Sequence, residues 1–390
     1  MTAAGGDVAA QLKAIDKSSC PSDAERKRAV EEARALLLRL ETPVDTALRL
    51  VWEYPTIVSG IRTMTQLDLF RKWSALNGGV SASAEELAKS TSCDPVLLLR
   101  ILRNLATSNI ISFDDKPGFF KMTPFSSSLT TPEIEATFGM LCDFHMAIFL
   151  GVPDFLKQKG YVNPVNKTDT AFRHVHGTDI MDLITQKHPE FAANMALSMK
   201  AILPFRGSLT EDFPVDEIIA QADPTGPLFV DVAGAIGHDT AAFFAKYPQP
   251  KGRLIVQDMA EVLAGAKLDP AIETMTFDLF APQPVQGAAM YYMHNVLHDW
   301  TDSDVVKILT NLKSAMRKGY SRLLVHELVV DSYRPNSLAS VSDVSMMAIA
   351  NSKERTDKDW RAVLADGGFE VVRIVTAPGG SFSIIEAIPT

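Results

Sequence analysis

The spacing of hydrophobic and polar residues changes once along the chain, near residue 226. Before that point apolar residues recur at helical spacing, as at Val30, Ala33, Leu37 and Leu38, and charged residues occupy the opposite face. After that point short apolar runs alternate with helical segments. The pattern therefore predicts a helical N-terminal part followed by an α/β domain.

Residues 82–123 predict two helices followed by a hairpin. SASAEELAKS starts with a serine cap and an acidic first turn, and CDPVLLLRILRNLATSN follows as a second helix. NIISF and GFFKMT are short β-type runs separated by the turn sequence DDKPG. This arrangement is winged-helix-like. Because the second helix offers only Arg100 and Arg103, and the wing carries Asp114 and Asp115, we expect a packing or dimerisation module rather than a DNA-binding one.

The second half of the chain predicts a Rossmann-like, doubly wound sheet that is mostly parallel, with helices between its strands. The two β-type runs at the C-terminus are close together in sequence, which indicates an antiparallel edge. The predicted strands are PLFVDVAG, GRLIVQDM, ETMTFDLF, AAMYYMHNVL, SRLLVHELVV, FEVVRIVTA and SFSIIEAIPT.

Four ranges follow from these patterns. We expect a flexible lead-in at 1–22, a helical winged-helix-like domain at 23–124, a helical linker at 125–222 and the α/β domain at 223–390. The linker is rich in methionine and phenylalanine. Such stripes usually form a core, but they also suit the wall of a pocket for a flat apolar ligand.

Composition narrows the class of protein. The 390 residues include 47 acidic and 38 basic side chains, for a net charge of −9, and 46 % are hydrophobic. This balance is typical of a globular chain and argues against nucleic acid or an anionic membrane as partner. The three cysteines are far apart, which suits a reducing compartment. With no signal peptide and no apolar run of about 18 residues, we expect a cytoplasmic protein without a transmembrane helix.

Three predicted strands end in an acidic residue, namely Asp231, Asp258 and Asp278. Ligands of open α/β sheets bind at the carboxyl ends of the strands, and a carboxylate there can accept the hydroxyls of a ribose. The small residues after Asp231, including Gly234 and Gly237, would let the backbone approach a ligand. A tight strand–helix turn requires small residues in any case, so the loop alone is weak evidence.

His298 ends the fourth strand of the α/β domain and is the best candidate for a proton-transfer group. It needs a partner that fixes its ring, and Glu327, at the end of the next strand, and Glu354 are both candidates. A lone histidine is more often structural, but a carboxylate at the neighbouring strand end favours a catalytic interpretation. No set of His, Cys and acidic residues has metal-ligand spacing, so we expect no metal.

These motifs together resemble the small-molecule O-methyltransferase family of plants and fungi. The resemblance covers about residues 25–390 and rests on VDVAGAIGH, LIVQDMAEV, FDLF, HNVLHDW, HELVV and SKERT. It implies S-adenosylmethionine, or its product S-adenosylhomocysteine, as the bound cofactor. It also implies a homodimer built by the winged-helix part, and a small aromatic or polyketide-type substrate held by the helical linker.

The resemblance assigns roles to individual residues. His298 is similar to the catalytic base, with Glu327 and Glu354 as the two acids that flank it. The expected cofactor-binding residues are Asp231, Gly234, Gly237, Asp258, Met259, Asp278, Leu279 and His294. The expected substrate-binding residues are Phe144, His145, Met146, Phe149, Met195, Met199, Asp299, Met346 and Met347.

The sequence departs from the family on the cofactor side. Ala233 and Ala235 stand where the family loop has glycine, and His294 stands where the family has Lys or Arg. If Ala233 takes a positive φ, its Cβ carries a cost; if it does not, its methyl group still narrows the gap to the methionine part of the cofactor. In both cases we expect weaker binding of the cofactor. Three functions therefore remain open: an O-methyltransferase, a pericyclase or dehydratase on the same fold that transfers no methyl group, and a non-catalytic dimeric scaffold. The intact His298 set argues against the scaffold.

Overall fold

The structure is a computed structural model that describes residues 7–183, 194–195, 197–201, 206–377 and 382–390. The chain divides into two compact units, each described here by itself. The first comprises Met1–Phe144 with Ala193–Ala201, and the second comprises His145–Ala192 with Ile202–Thr390. This division does not test the four ranges given above, which stay predictions.

The first unit is mainly helical. The segment expected to be a flexible lead-in carries a short exposed helix, Val8–Lys13, and a 3₁₀ turn, Lys17–Ser19. The apolar residues at helical spacing, Val30 to Leu38, lie in the helix Asp23–Leu40, and Ser22 caps its start. The other α-helices of this unit are Pro43–Leu48, Tyr54–Gln66, Leu69–Asn77, Ala84–Thr91, Pro95–Thr107, Pro124–Ser128 and Pro132–Met140; π-helical turns occupy Arg49–Glu53 and, after the last of these helices, Leu141–His145.

The winged-helix-like segment has its own core in the first unit. Ser83 and Glu86 form a reciprocal capping box that starts the helix Ala84–Thr91. Strands β1 (Ala82–Ser83), β2 (Ile111–Phe113) and β3 (Phe119–Met122) form an antiparallel sheet in the order β1-β3-β2. Fully buried side chains join the helices to this sheet: Trp73, Leu87, Leu98, Leu102, Leu105 and Ile111.

The second unit is built on an eight-stranded sheet. Its strands are β4 (Pro227–Val232), β5 (Arg253–Asp258), β6 (Ile272–Thr276), β7 (Met290–His294), β8 (Arg322–Val330), β9 (Arg355–Thr356), β10 (Phe369–Thr376) and β11 (Phe382–Pro389). The order is β10-β11-β8-β7-β4-β5-β6, with β9 beside the end of β8. Among the described strands of this sheet, only the β10–β11 and β11–β8 pairs are antiparallel. The predicted doubly wound sheet with an antiparallel C-terminal edge is therefore confirmed.

The chain order of the strands reverses between β4 and β7, which lie side by side in the sheet. A crevice opens at such a point because the connections leave the two strands in opposite directions. Buried apolar clusters cover both faces of the sheet, one around Trp360 and Leu309 and the other around Phe229 and Phe243. Because both faces of the sheet are packed, the residues that follow β4 and β7 are held at the same edge of the sheet.

Helices connect and cover these strands. The predicted helix after β5 is only the short Ala260–Leu263, and Ser337–Ala350 is a long helix that the sequence analysis did not predict. The remaining helices of the second unit are Met146–Gln158, Ala171–His176, Ile180–Asp182, Leu209–Asp212, Asp216–Gln221, His238–Lys246, Asp302–Lys313 and Asp357–Asp366, with a 3₁₀ turn at Leu297–Asp299.

One observation runs against the expectation that no segment is suited to a membrane. Among the described residues, the continuous helical stretch Pro132–Gln158 is long and apolar enough, by length and composition, to cross one. The sequence analysis missed it because polar residues interrupt the apolar run. Core helices of proteins outside membranes pass the same test, so a single such helix is weak evidence for a membrane partner.

Candidate active site

The loop after β4 contains the two alanines that replace family glycines. Both take left-handed backbone conformations, with φ of 58° at Ala233 and 52° at Ala235. This region costs a residue with a Cβ roughly 1–2 kcal/mol, whereas glycine enters it freely. The structure therefore places strain at the positions where the sequence departs from the family.

The two glycines of the loop are required by space as well as by conformation. A Cβ at Gly234 would lie 2.4 Å from the carboxylate carbon of Asp231, and Gly237 has a φ of +82°. The loop ends where the helix His238–Lys246 begins. Small residues thus let the chain turn directly over the end of β4, which leaves the helix N-terminus facing the crevice.

Asp231 lies beneath this loop and does not line the cavity described below. Its side chain is buried and accepts a hydrogen bond of 2.7 Å from Oγ1 of Thr240. Burial, aided by the neighbouring charge of Asp239, raises the pKa of Asp231 well above its usual range. Asp231 is therefore placed to support the loop and the start of the next helix, and its contact with the cofactor stays a prediction.

A cavity of about 570 Å³ lies at the carboxyl ends of β4, β5, β6 and β7. Asp258 stands at its edge and accepts hydrogen bonds from the backbone N–H of Ala235 at 2.8 Å and of Met259 at 2.7 Å. The predicted cofactor-binding residues that line it are Asp258, Met259, Asp278 and Leu279, together with Ala233. Its position at the strand-order reversal and the carboxylates of Asp258 and Asp278 fit an adenosine whose ribose binds an acid.

His298 lies in the 3₁₀ turn after β7. Its ring nitrogen Nδ1 is 2.9 Å from Oε1 of Glu354, whose side chain is fully buried. The same oxygen accepts a hydrogen bond of 2.7 Å from Ser342, and the backbone N–H of Glu354 donates to Asp343 at 3.0 Å. Glu354 is thus held on two sides, and it fixes the orientation of the His298 ring.

Glu327 acts on the backbone around His298 rather than on its ring. Its Oε1 accepts hydrogen bonds from the N–H groups of Val296 at 2.9 Å and Leu297 at 2.8 Å. The structure therefore brings both acids predicted by the resemblance to His298. A ring nitrogen of His298 and one carboxylate oxygen each of Glu327 and Glu354 all lie within 4.8 Å of one another. Glu327 fixes the backbone of the turn, and Glu354 orients the imidazole ring.

The electrostatics of the site favour a protonated imidazole. Burial lowers the pKa of His298, but Asp299, Glu327 and Glu354 together outweigh burial and raise it to about 10. Asp299 is 56 % exposed, so water screens its charge, and the buried Glu327 and Glu354 are the acids that fix the direction of this shift. At neutral pH, without a ligand, His298 is an imidazolium.

His294 is not among the residues that line the cavity of 570 Å³. Its Nδ1 is 2.9 Å from Oδ2 of Asp239, and its ring stacks on His326 with centroids 4.1 Å apart. His326 in turn is 2.8 Å from the hydroxyl of Tyr292. The expectation of a cofactor contact through His294 gains no support from this geometry. Its side chain instead links the end of β7 to the helix that follows the loop.

Sequence reasoning missed Arg206 and Asn295. Asn295 lines the cavity and has a φ of 53°. When its amide oxygen is turned toward Arg206, which satisfies both groups, that oxygen accepts hydrogen bonds from Nε at 3.0 Å and Nη2 at 3.1 Å. The only feature of the sequence that could have indicated Arg206 is that it is a charged residue within the apolar stretch AILPFRGSLT.

The expected substrate residues are distributed over both units. Asp299 lines the cavity of 570 Å³. Met347 lines a second cavity of about 490 Å³, which Trp300 also borders. The others line neither of these two cavities and stay predictions: Phe144, Met195 and Met199 in the first unit, and His145, Met146, Phe149 and Met346 in the second.

Comparison with known proteins agrees with this geometry. A family model described as an O-methyltransferase domain matches residues 162–370. The O-methyltransferase mfmE of Annulohypoxylon moriforme is 35 % identical over 378 residues, which cover 96 % of this chain and 94 % of that protein.

Two solved structures share the fold over almost the whole chain. One, titled a pericyclic reaction enzyme, is 26 % identical with a TM-score of 0.89 and covers 98 % of each chain. The other, OxaC in complex with S-adenosylhomocysteine and oxaline, is 27 % identical with a TM-score of 0.81 and covers 98 % of this chain and 96 % of its own.

Proposed function

The chain belongs to the O-methyltransferase family, and we propose that it transfers a methyl group from S-adenosylmethionine to a phenolic or enolic hydroxyl of a small polyketide-like molecule. The observation that carries this proposal is the His298–Glu354 pair, 2.9 Å apart, in the same turn as the cavity-lining Asp299. A scaffold protein would have no need for a buried carboxylate that orients an imidazole in a turn whose next residue, Asp299, lines a cavity.

The cavity residues support S-adenosylmethionine as the cofactor. Asp258 would hold the ribose, Asp278 would lie beside the adenine, and the loop around Ala233 would carry the amino-acid part. When bound, this cofactor supplies a methyl group on a positively charged sulfur, which makes the methyl carbon electrophilic. The strained Ala233 and Ala235 leave less space in the loop for the cofactor. We therefore propose that the affinity for S-adenosylmethionine is lower than it would be with glycine at these two positions.

His298 has a pKa suited to a phenol. Despite burial, Asp299, Glu327 and Glu354 raise the pKa of His298 toward that of a phenolic hydroxyl, so a proton shared between the two moves more easily in either direction than with an ordinary imidazole. The reactive state is the phenolate beside the imidazolium, which Glu354 stabilises. Because free His298 already holds a proton at neutral pH, a neutral phenol reacts only after one proton leaves the site.

The direction in which the rate changes with pH tests this proposal. The purified protein is incubated with methyl-labelled S-adenosylmethionine and a panel of phenols and acidic enols, and the products are analysed by mass. For a phenol, the rate should rise between pH 7 and pH 9. Absence of a methylated product for the whole panel would count against methyl transfer.

A second function is favoured by two of the same observations. The strain at Ala233 and Ala235 argues against rapid binding and release of the cofactor. A protonated His298 can act as an acid without first taking a proton from the substrate. Such a site suits a dehydratase or pericyclase, in which His298 donates a hydrogen bond and no methyl moves. Its rate on the true substrate would be flat from pH 7 to pH 9 and fall above about pH 10, when His298 loses its proton.

We also propose that the protein is a homodimer formed through its first unit. Apolar side chains are exposed on the helices and the π-helical turn between Asp23 and Glu53, among them Val51 at 76 % and Trp52 at 67 %. A single chain leaves this surface in water, and contiguous apolar patches of this kind mark protein interfaces. A second copy of the chain is the partner that the family resemblance implies.

A further inference from the structure

The turn that carries His298 has few hydrogen bonds of its own. It is a 3₁₀ turn of three residues, Leu297–Asp299. Two backbone hydrogen bonds lie within it, from the N–H of Asp299 at 3.4 Å and from that of Trp300 at 3.2 Å. Both are long, and the hydrogen-bond geometry of 3₁₀ turns is poor in general. Groups outside the turn therefore fix its position.

Arg355 holds the carbonyl end of this turn. Its side chain is fully buried, and Nη1 donates to the carbonyl of Leu297 at 2.9 Å while Nη2 donates to that of Trp300 at 2.7 Å. Nε donates to Oδ1 of Asp302 at 2.9 Å, which fixes the plane of the guanidinium. One planar group thus binds the residue before His298 and the second residue after it.

The N–H end of the turn is held from the neighbouring strand. Glu327, in β8, accepts hydrogen bonds from the N–H groups of Val296 and Leu297. Arg355 lies in β9, which pairs with β8 at Val329. The two paired strands therefore place an anion at the N–H groups of the turn and a cation at its carbonyls, where each makes charge-assisted hydrogen bonds.

The orientation of the His298 ring depends on the position of this turn. Glu354, the residue before Arg355, contacts Nδ1 of the ring through its Oε1 at 2.9 Å. A shift of the turn by about 1 Å would lengthen this contact beyond hydrogen-bond distance. Arg355 does not line the cavity of 570 Å³, so any effect that it has on a reaction there passes through the turn.

We infer that Arg355 is a positioning residue, whose guanidinium holds the turn where Glu354 can orient the imidazole of His298. The inference rests on the proposed function only in assigning proton transfer or hydrogen bonding to His298. Methyl transfer is not required, because a dehydratase or pericyclase would need the same orientation of the ring. Arg355 acts here through its hydrogen bonds to the backbone, and not merely as a nearby positive charge.

The ionisation of His298 tests this inference, because the two roles of Arg355 change the pKa of His298 in opposite directions. In the wild type burial lowers this pKa, while Asp299, Glu327 and Glu354 raise it. If Arg355 contributed only charge, Arg355→Met would remove a cation and raise the pKa further. If it holds the turn, the ring leaves Glu354 and the pKa falls by at least about 1 pH unit. The titration is followed by NMR of the full chain with ¹³C-labelled histidine, and the His298 signal is identified by its loss in His298→Ala.

Turnover gives a second measurement. Arg355→Met should lower kcat on the order of 10²-fold, because a misplacement of about 1 Å has effects of this size. Its affinity for S-adenosylhomocysteine should stay within about twofold, since the carboxylates that line the cofactor cavity follow other strands. Arg355→Lys keeps the charge but cannot reach both carbonyls and Asp302 at once. It should give intermediate values in both measurements, and it serves if Arg355→Met fails to fold.

Two control variants separate position from stability. Arg361→Met removes an exposed arginine that pairs with Asp357, and it should change neither measurement. Ile384→Ala removes buried methyl groups from the cluster around Phe229 and Phe243, which contains no residue of the turn. It should lower the melting temperature and leave the pKa of His298 unchanged.

The remaining outcomes distinguish this inference from the proposed function. A raised or unchanged pKa of His298 in folded Arg355→Met overturns the inference, and so does a wild-type kcat in that variant. Wild-type values in Arg355→Lys also overturn it, because one nitrogen would then replace the whole guanidinium. If no substrate is methylated but the pKa of His298 falls in Arg355→Met, the proposed methyl transfer fails and the positioning role stands.

Discussion

Replacing Ala233 and Ala235 by glycine should stabilise the protein, although each change removes a methyl group. Both alanines have a positive φ, of 58° and 52°. An alanine in the left-handed region costs roughly 1–2 kcal/mol relative to a residue without a Cβ. The change to glycine also makes the unfolded chain more flexible, which costs about 0.4–1 kcal/mol. The balance is a gain of about 0–1.6 kcal/mol at each position, with a midpoint of about 0.8 kcal/mol.

Thermal and urea unfolding of the two single variants and the double variant measure this gain. For a unit of this size, 1 kcal/mol corresponds to roughly 2–4 °C in Tm, so the double variant should unfold about 2–8 °C higher than the wild type. Ala242→Gly is the matched control, because Ala242 is exposed within the helix His238–Lys246. The same chemical change there should lower stability by about 1 kcal/mol.

The same variants should bind S-adenosylhomocysteine more tightly, since Ala233 lines the cavity and its methyl group is lost. If the loop variants lose stability as Ala242→Gly does, the strain argument is wrong and the alanines are not held in the left-handed region. A gain in stability without any change in affinity for S-adenosylhomocysteine would support the strain at the two alanines. It would contradict the proposal that this strain weakens cofactor binding.

Three further predictions concern the site and the surface. Glu354→Gln should reduce turnover on the order of 10²-fold because the His298 ring loses its ionised partner, while the exposed Glu370→Gln should leave it unchanged. Asp231 holds its proton in the folded state at pH values where the unfolded chain has lost it, so its contribution to stability falls as pH rises above about 4. The free energy of unfolding of the wild type minus that of Asp231→Asn should therefore be larger at pH 5 than at pH 7, and equal values would contradict the raised pKa. Trp52→Lys should convert the dimer into a monomer in sedimentation experiments with little change in the melting of the second unit, and a monomeric wild type would refute the interface.

Much of the sheet could be predicted from continuous apolar runs, because strands that are buried on both faces of a sheet are mostly hydrophobic. PLFVDV and LLVHEL show such runs, and both lie in the centre of the sheet, as β4 and β8. The antiparallel edge follows from the short connection between β10 and β11. The helix Ser337–Ala350 was missed because it has apolar residues on most of its sides, so no clear stripe marks it.

The candidate site was predictable where a residue acts from the end of a strand. Asp258, Asp278 and His298 could be located in this way, since the ends of parallel strands meet at one edge. Side-chain direction could not be predicted: His294 also ends a strand, but its ring turns toward Asp239 rather than the cavity. Arg206 lies in none of the motifs, and its position depends on long-range packing that spacing does not reveal.

The most direct test of the account compares the wild type with His298→Ala in methyl transfer from labelled S-adenosylmethionine to the phenol and enol panel. We expect a product heavier by one methyl group with the wild type, and a rate lower by roughly 10²–10⁴-fold with the variant. Unfolding should be measured in parallel to show that the variant is folded. Methylation at the wild-type rate by folded His298→Ala would contradict the assignment of the active site.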